Sequence, residues 1–75
     1  MKITDGDTIQ MSYTTRENTE NITVDVEWNA DDRFTGRIID GRYTTKTVDV
    51  FLDQNAIRIK NQGHIGTVEE ILKVF

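Results

Sequence analysis

The chain has 75 residues and a net charge of −4, with 13 acidic residues against 9 basic ones and no cysteine. This length allows one domain, residues 1–75, near the lower limit for folding on a hydrophobic core alone, with neither a disulfide nor a thiolate metal site to reinforce it. The acidity disfavours nonspecific binding to phosphate backbones. The sequence contains no signal peptide and no apolar run near ~20 residues, which predicts a cytoplasmic protein with no membrane association.

Five segments carry the alternating pattern of β-strands, in which every second residue is apolar. The clearest is 22–28, where Ile22, Val24, Val26 and Trp28 alternate with polar residues. The other four are residues 8–14, 34–40, 46–52 and 56–60, and turn-forming residues separate them. Consecutive strands joined by short turns predict an antiparallel meander.

The register of each strand pair is predicted by placing apolar residues opposite one another. The predicted opposed pairs are Tyr13–Ile22, Trp28–Phe34, Phe34–Leu52 and Leu52–Ile57. On the outer face these registers align a row of alternating charge: Asp25, Arg37, Asp49 and Lys60. Opposed charges on neighbouring strands stabilise their pairing by ~0.2–1 kcal/mol per pair, so the row would fix the register.

The connection between the third and fourth strands has two interpretations. Asp40-Gly41 is a favoured two-residue hairpin turn. Turning there would place the apolar residues of the fourth strand on the wrong face, so a five-residue loop over 41–45 fits the pattern better. Gly36 is predicted to point inward between Val26 and Val50, where the missing side chain allows a bend or a bulge.

The last segment is predicted to be helical. T-V-E-E at 67–70 is a capping-box sequence, and Val68, Ile71, Leu72 and Phe75 share one helical face. Two turns of helix are not stable alone in water, so the helix would dock on the end of the sheet. The predicted fold is mainly β: a five-stranded antiparallel meander curled into a small, partly open barrel, capped by a short C-terminal helix over 67–75.

The pattern resembles the small β-barrels of the Src-homology-3-like and Sm-like kinds. The residues behind the resemblance are G-D-T-I-Q-M-S-Y at 6–13 and L-D-Q-N-A-I-R-I at 52–59, within a meander of five short strands. The Src-homology-3 resemblance implies that the last strand pairs with the first after a short helical turn, for which D-Q-N is a candidate. The chain departs from Sm-like domains in lacking an initial helix, and from peptide-binding Src-homology-3 domains in lacking their aromatic-rich loop. By analogy, such barrels bind proteins or nucleic acids.

Few residues suggest catalysis or metal binding. His64, the single histidine, lies between glycines in a predicted loop, and with one serine and no cysteine no nucleophile–histidine pair can be assembled. The acidic pairs at 5–7 and 31–32 are too short for a calcium loop and suit turns. We therefore expect no enzymatic activity, no metal and no cofactor.

The candidate binding surface is the outer face of the third to fifth strands together with the 41–45 loop. The predicted registers place Phe51 opposite Arg58, so that a cation lies over an exposed ring. Tyr13 and Trp28 are predicted to point into the core. The candidate site residues are Arg37, Arg42, Tyr43, Phe51, Arg58 and Lys60.

These features predict a non-catalytic binding module: a small adaptor, inhibitor or regulatory accessory protein with a protein partner. The alternative is single-stranded nucleic-acid binding through the same basic and aromatic surface. The net acidity favours the protein partner, whereas clustering of bases on one face favours nucleic acid. A homo-oligomer is a further possibility if the first strand leaves an unpaired edge.

Overall fold

Six strands account for most of the chain in a computed structural model that describes residues 2–74. They are β1 (Thr8–Thr14), β2 (Thr19–Asn29), β3 (Arg33–Gly41), β4 (Thr47–Phe51), β5 (Ala56–Ile59) and β6 (Gly63–Lys73). Each strand pairs antiparallel with the next, and β6 pairs back with β1, so the sheet closes into a barrel. The mainly β barrel is confirmed, but it has six strands and is closed. Because β1 is paired on both sides, the free edge considered for oligomerisation is not present.

The alternating residues form the core, as predicted for most of the strands. Buried positions recur at every second residue of β1, β3, β4 and β5 and in the middle of β2. The core consists of Ile9, Met11, Tyr13, Ile22, Val24, Val26, Phe34, Ile38, Val48, Val50, Ile57 and Ile59. A barrel encloses these side chains from all sides, which allows a chain of this size to bury them without a disulfide.

The predicted C-terminal helix is wrong, because residues 67–73 belong to β6. Along this strand, Ser12 pairs with Glu70 and Tyr13 pairs with Val68, so Glu69 is an extra residue in a β-bulge. The bulge allows Val68 and Ile71, three residues apart, both to pack against the core. Apolar residues three positions apart also share one face of a helix, which is why the sequence pattern indicated a helix here. Leu72 is 54% exposed, and Phe75 lies outside the described residues.

The predicted registers are partly wrong. In β2–β3 the pairs Val24–Ile38 and Asp25–Arg37 are confirmed, but Trp28 lies opposite Thr35. The β1–β2, β3–β4 and β4–β5 registers differ from the prediction by two residues; the observed pairs include Met11–Ile22, Phe34–Val50 and Val50–Ile57. A shift of two residues keeps the same side chains inside, so the apolar pattern could not exclude it.

The predicted charge row is therefore broken after its first pair. Arg37 lies opposite Thr47 instead of Asp49, and Asp49 lies opposite Arg58 instead of Lys60. Lys60 follows the end of β5. The two-residue turn at Asp40-Gly41 does not form: β3 continues to Gly41, and a five-residue loop over 42–46, one residue later than predicted, leads into β4.

Gly36 points inward, as predicted, between Val26 of β2 and Val48 of β4. A Cβ atom here would collide with the carbonyl oxygen of Asp25 and would lie 2.6 Å from Val24 Cγ1. The missing side chain allows β2 and β3 to approach closely beside the bulge that follows Val26.

The barrel has two ends with different loops. The β1–β2 end carries the connections 15–18, 42–46 and 60–62, and the β2–β3 end carries the connections 30–32 and 52–55 and the start of the chain. The segment before β1 is held at the β2–β3 end, because Gly6 N–H donates to the Val26 carbonyl at 2.8 Å. These two ends and the outer wall between them are the surfaces on which functional residues can lie.

Candidate binding surface

Trp28 lies on the outer wall of the barrel, not in the core as predicted. The β2–β3 register shifts between Val26 and Trp28, which leaves Glu27 as an extra residue. The bulge turns the Trp28 side chain outward, where it is 44% exposed. The guanidinium carbon of Arg33 lies 5.4 Å from the centre of its ring, within the range of a cation–π interaction.

Phe51 lies on the same wall. It shares the outward face of β4 with Thr47 and Asp49, is half-buried, and is not among the residues packed against the core. The backbone of Phe51 pairs with that of Arg33, whose side chain reaches Trp28. Arg33 therefore links two aromatic residues across the wall. The predicted pairing of Phe51 with Arg58 is wrong, because Phe51 lies opposite Ala56.

Two further arginines complete this surface. Arg37 is exposed on β3, two positions beyond Thr35, and Arg58 is exposed on β5. Each arginine has an aspartate as a cross-strand neighbour: Asp25 for Arg37 and Asp49 for Arg58. We call Trp28, Arg33, Arg37, Phe51 and Arg58 the outer patch. Its cations alternate with carboxylates.

The other three predicted site residues lie apart from the outer patch. Arg42, Tyr43 and Lys60 are in or beside the loops of the β1–β2 end. The Arg42 guanidinium lies 5.4 Å from the Tyr43 ring centre and 3.8 Å from the Glu20 carboxylate. Tyr43 packs against the core and adopts a left-handed backbone conformation, with φ of 64°. The structure thus divides the predicted site into two groups.

Arg33 was not identified as a site residue from the sequence, and the outward position of Trp28 was not predicted. Arg33 was detectable, because it directly precedes the inward Phe34 and so falls on the outer face of the third strand. The position of Trp28 depends on the bulge at Glu27, for which the sequence gives no clear signal.

The acidic turn at 5–7 has a structural role. The Asp7 carboxylate accepts a hydrogen bond from Thr4 N–H at 2.8 Å and lies 3.2 Å from Lys73 Nζ. The Thr4 hydrogen bond, together with the Lys73 charge, holds the pKa of Asp7 below its ordinary value. Asp7 thereby joins the start of the chain to the last strand.

His64 is exposed on β6, with Arg58 as its cross-strand neighbour, and is not in a loop as predicted. In residues 2–74, no group of three or more acidic or histidine side chains is placed to hold a metal ion. The same part of the chain contains no helix with the length and apolar character needed to cross a membrane.

Comparison with known proteins found no matching family model, curated protein or solved structure.

Proposed function

We propose that this domain is a non-catalytic binding module that recognises another protein through the outer patch, as a small adaptor, inhibitor or regulatory accessory protein. The observation that carries the proposal is the exposure of Trp28, which lies under Arg33. The backbone of Arg33 pairs with that of Phe51, which lies on the same wall. Tryptophan and arginine are the residues most enriched at the energetic centres of protein interfaces. An exposed tryptophan with an arginine over its ring presents a large apolar surface together with a positive charge, which suits the anchor of a protein interface.

The charge pattern favours a protein partner. Arg37 and Arg58 each lie opposite an aspartate, so the surface presents both signs of charge within a short distance. A protein surface can complement such a pattern with both acidic and basic side chains, and complementary charges also exclude wrong partners. A phosphate backbone, which has one sign of charge throughout, would meet repulsion at Asp25 and Asp49.

Single-stranded nucleic acid is the second candidate, supported by one observation. Two aromatic rings, Trp28 and Phe51, share the wall with three arginines. Bases stack on exposed aromatic side chains, and arginines bind the adjacent phosphates. Salt dependence separates the two candidates, because phosphate contacts weaken steeply as the salt concentration rises and the release of counterions on binding becomes less favourable.

Resemblance to the Src-homology-3-like and Sm-like barrels supports a binding role by analogy. Contrary to what the Src-homology-3 resemblance implied, the strand that follows D-Q-N does not pair with the first strand, because β5 pairs with β4 and β6. Many barrels of this size use their outer walls and loops to bind macromolecules, although a fold alone does not define a function.

A peptide-selection experiment tests the proposal. A random peptide library is selected on the wild-type domain, and the enriched peptides are measured against Trp28→Ala and Phe51→Ala. The single tryptophan lies in the outer patch, so its fluorescence reports binding there directly in the wild type and in Phe51→Ala. Trp28→Ala has no tryptophan, so its binding is measured by titration calorimetry. We expect each substitution to weaken binding by about tenfold or more, with the circular dichroism spectrum unchanged.

Leu72→Ala is the matched control, because Leu72 is also exposed but lies on β6, outside the outer patch. This variant should bind the selected peptides as the wild type does. Peptides that bind all four proteins equally would contradict the proposal. Saturable binding of a mixed single-stranded oligonucleotide pool, reversed by salt and lost in Trp28→Ala, would favour the second candidate instead.

A further inference from the structure

A cavity opens at the β1–β2 end of the barrel, away from the outer patch. It is lined by Tyr13, Arg16, Glu17, Arg42, Tyr43 and His64, together with two neighbouring residues. Two connections and two strands contribute to it, since these residues come from the β1–β2 turn, the 42–46 loop, the end of β1 and the start of β6. Two residues of the predicted site, Arg42 and Tyr43, thus line this cavity and do not belong to the outer patch.

The Tyr13 hydroxyl is the most unusual group in this cavity. The side chain is completely buried, and the hydroxyl has no hydrogen-bond partner among residues 2–74. Buried polar atoms are nearly always paired, so an unpaired one requires a reason. Burial, aided by the charge of Glu20, raises the pKa of Tyr13, so the phenol keeps its proton and is available as a donor.

Two arginines line the same cavity as Tyr13. Arg16 is exposed and forms no ion pair within the described residues, and Arg42 lies 3.8 Å from Glu20. Charge-assisted hydrogen bonds are about 2.7–2.9 Å long, so the contact with Glu20 leaves the donors of Arg42 free to bind a ligand. Both guanidiniums can therefore turn towards an anion in the cavity, where the charges of Glu17 and Glu20 oppose its binding.

The two ends of the barrel differ in charge. The connections at the β1–β2 end contain four basic residues and one acid: Arg16, Arg42, Lys46, Lys60 and Glu17. The connections and chain start at the β2–β3 end contain one basic residue and five acids: Lys2, Asp5, Asp7, Asp31, Asp32 and Asp53. The β1–β2 end, where this cavity opens, is therefore the more basic end of an acidic protein, and such a difference in charge favours anions at this end.

The loops at this end are fixed in place. The Thr15 hydroxyl accepts hydrogen bonds from Glu17 N–H and Asn18 N–H, both at 3.2 Å, which holds the turn that carries Arg16. In the 42–46 loop, Tyr43 and Thr45 have φ of 64° and 76°. Such conformations are unfavourable for these residues and are often retained at ligand sites. The loop backbones that carry Arg16 and Arg42 are thereby fixed before a ligand arrives, and the two side chains remain free to turn towards it.

We propose that this cavity binds a phosphate group, with Arg16 and Arg42 on its oxygens and the Tyr13 hydroxyl as a third donor. A phosphate has enough acceptor oxygens for donors that approach from three directions, and arginine forks match its geometry. The phosphate is free or belongs to a small organic monoester, for which the Tyr43 ring offers a stacking face. This site is separate from the outer patch and does not depend on the function proposed for it.

The test is an amide NMR titration of the labelled domain with inorganic phosphate, at constant ionic strength maintained with chloride. We expect saturable shifts confined to residues 13–17, 42–43 and 64–65, with the Trp28 indole signal unchanged. Arg16→Gln and Arg42→Gln should each weaken binding by about tenfold, as expected for the loss of a hydrogen bond to a charged group. Arg37→Gln, which removes the same charge from the outer wall, should bind phosphate as the wild type does.

Tyr13→Phe separates a donor role from a structural one, because it removes only the oxygen. This variant should bind phosphate several-fold more weakly, while its melting temperature without phosphate is equal to or above that of the wild type. Tighter binding of phenyl phosphate would identify an organic monoester as the ligand, and equal binding would identify free phosphate. Shifts that do not saturate, acetate that binds as well as phosphate, or an equal loss in Arg37→Gln would overturn the proposal.

Discussion

Replacing Gly36 with alanine tests the close approach of β2 and β3. Gly36 lies in the middle of β3 and points inward, with neighbours on both β2 and β4. An added Cβ would collide with the Asp25 carbonyl oxygen and lie 2.6 Å from Val24 Cγ1. The Asp25 oxygen belongs to the backbone, so no change of side-chain rotamer removes the clash.

The expected loss of stability follows from these contacts. Carbon atoms in ordinary contact are ~3.5–4.0 Å apart, so β2 and β3 must separate by roughly 1 Å to accommodate the methyl group. Overpacking of a well-packed core costs about 1–3 kcal/mol, and a clash with the backbone belongs at the upper end. A domain of this length has roughly 4–11 kcal/mol of total stability. We therefore expect Gly36→Ala to lower the free energy of unfolding by about 3 kcal/mol.

Urea denaturation followed by circular dichroism measures this loss. The melting temperature should fall by more than about 10 °C for a domain of this size. Thr35→Ala is the control, because its side chain points out of the barrel beside Gly36, and it should change the free energy of unfolding by less than about 1 kcal/mol. If Gly36→Ala unfolds within about 0.5 kcal/mol of the wild type, the inward position of Gly36 and its close contact with β2 are wrong.

Two further predictions concern charged groups. Asp7→Asn should destabilise the domain at neutral pH, because folding lowers the pKa of Asp7. The difference in melting temperature between wild type and variant should vanish as the pH falls through the pKa of Asp7 in the folded state. A difference that stays constant with pH would refute this. Arg37→Glu, which faces Asp25, should cost roughly 0.5–1 kcal/mol in urea titrations. Adding Asp25→Arg should restore part of that loss, and unchanged stability in the single variant would contradict the β2–β3 register.

The alternating pattern of the sequence predicted most of the side chains that face inward. Alternation placed Val24, Ile38, Val48 and Ile57 in the core, and all of them are buried. It could not define register, because a shift of two residues preserves the alternation. Three of the predicted pairings were wrong by that amount, so charge pairs on the outer face were predicted less well than the core.

Bulges account for the larger errors. The bulge at Glu69 gives Val68 and Ile71 a helical spacing within a strand. For this reason the strand that closes the barrel was predicted to be a helix. The bulge at Glu27 moved Trp28 from the core to the surface. A bulge depends on how two strands meet, and this information is not present in either strand alone.

The sequence predicted only part of the candidate surface, because the remainder depends on a bulge. Arg37, Phe51 and Arg58 were placed on the outer wall by alternation, which the structure confirms. The contact of Arg33 with Trp28 depends on the bulge and could not be derived from the pattern.

Mapping a selected peptide onto the labelled domain by amide NMR tests the central claim most directly. Binding to the outer patch predicts shifts at Trp28, Arg33, Thr35, Phe51 and Arg58, with the opposite wall unchanged. Shifts centred instead on the outer face of β1 and β6, around Gln10, Ser12 and Leu72, would show that the domain binds its partner elsewhere and would contradict the role assigned to Trp28.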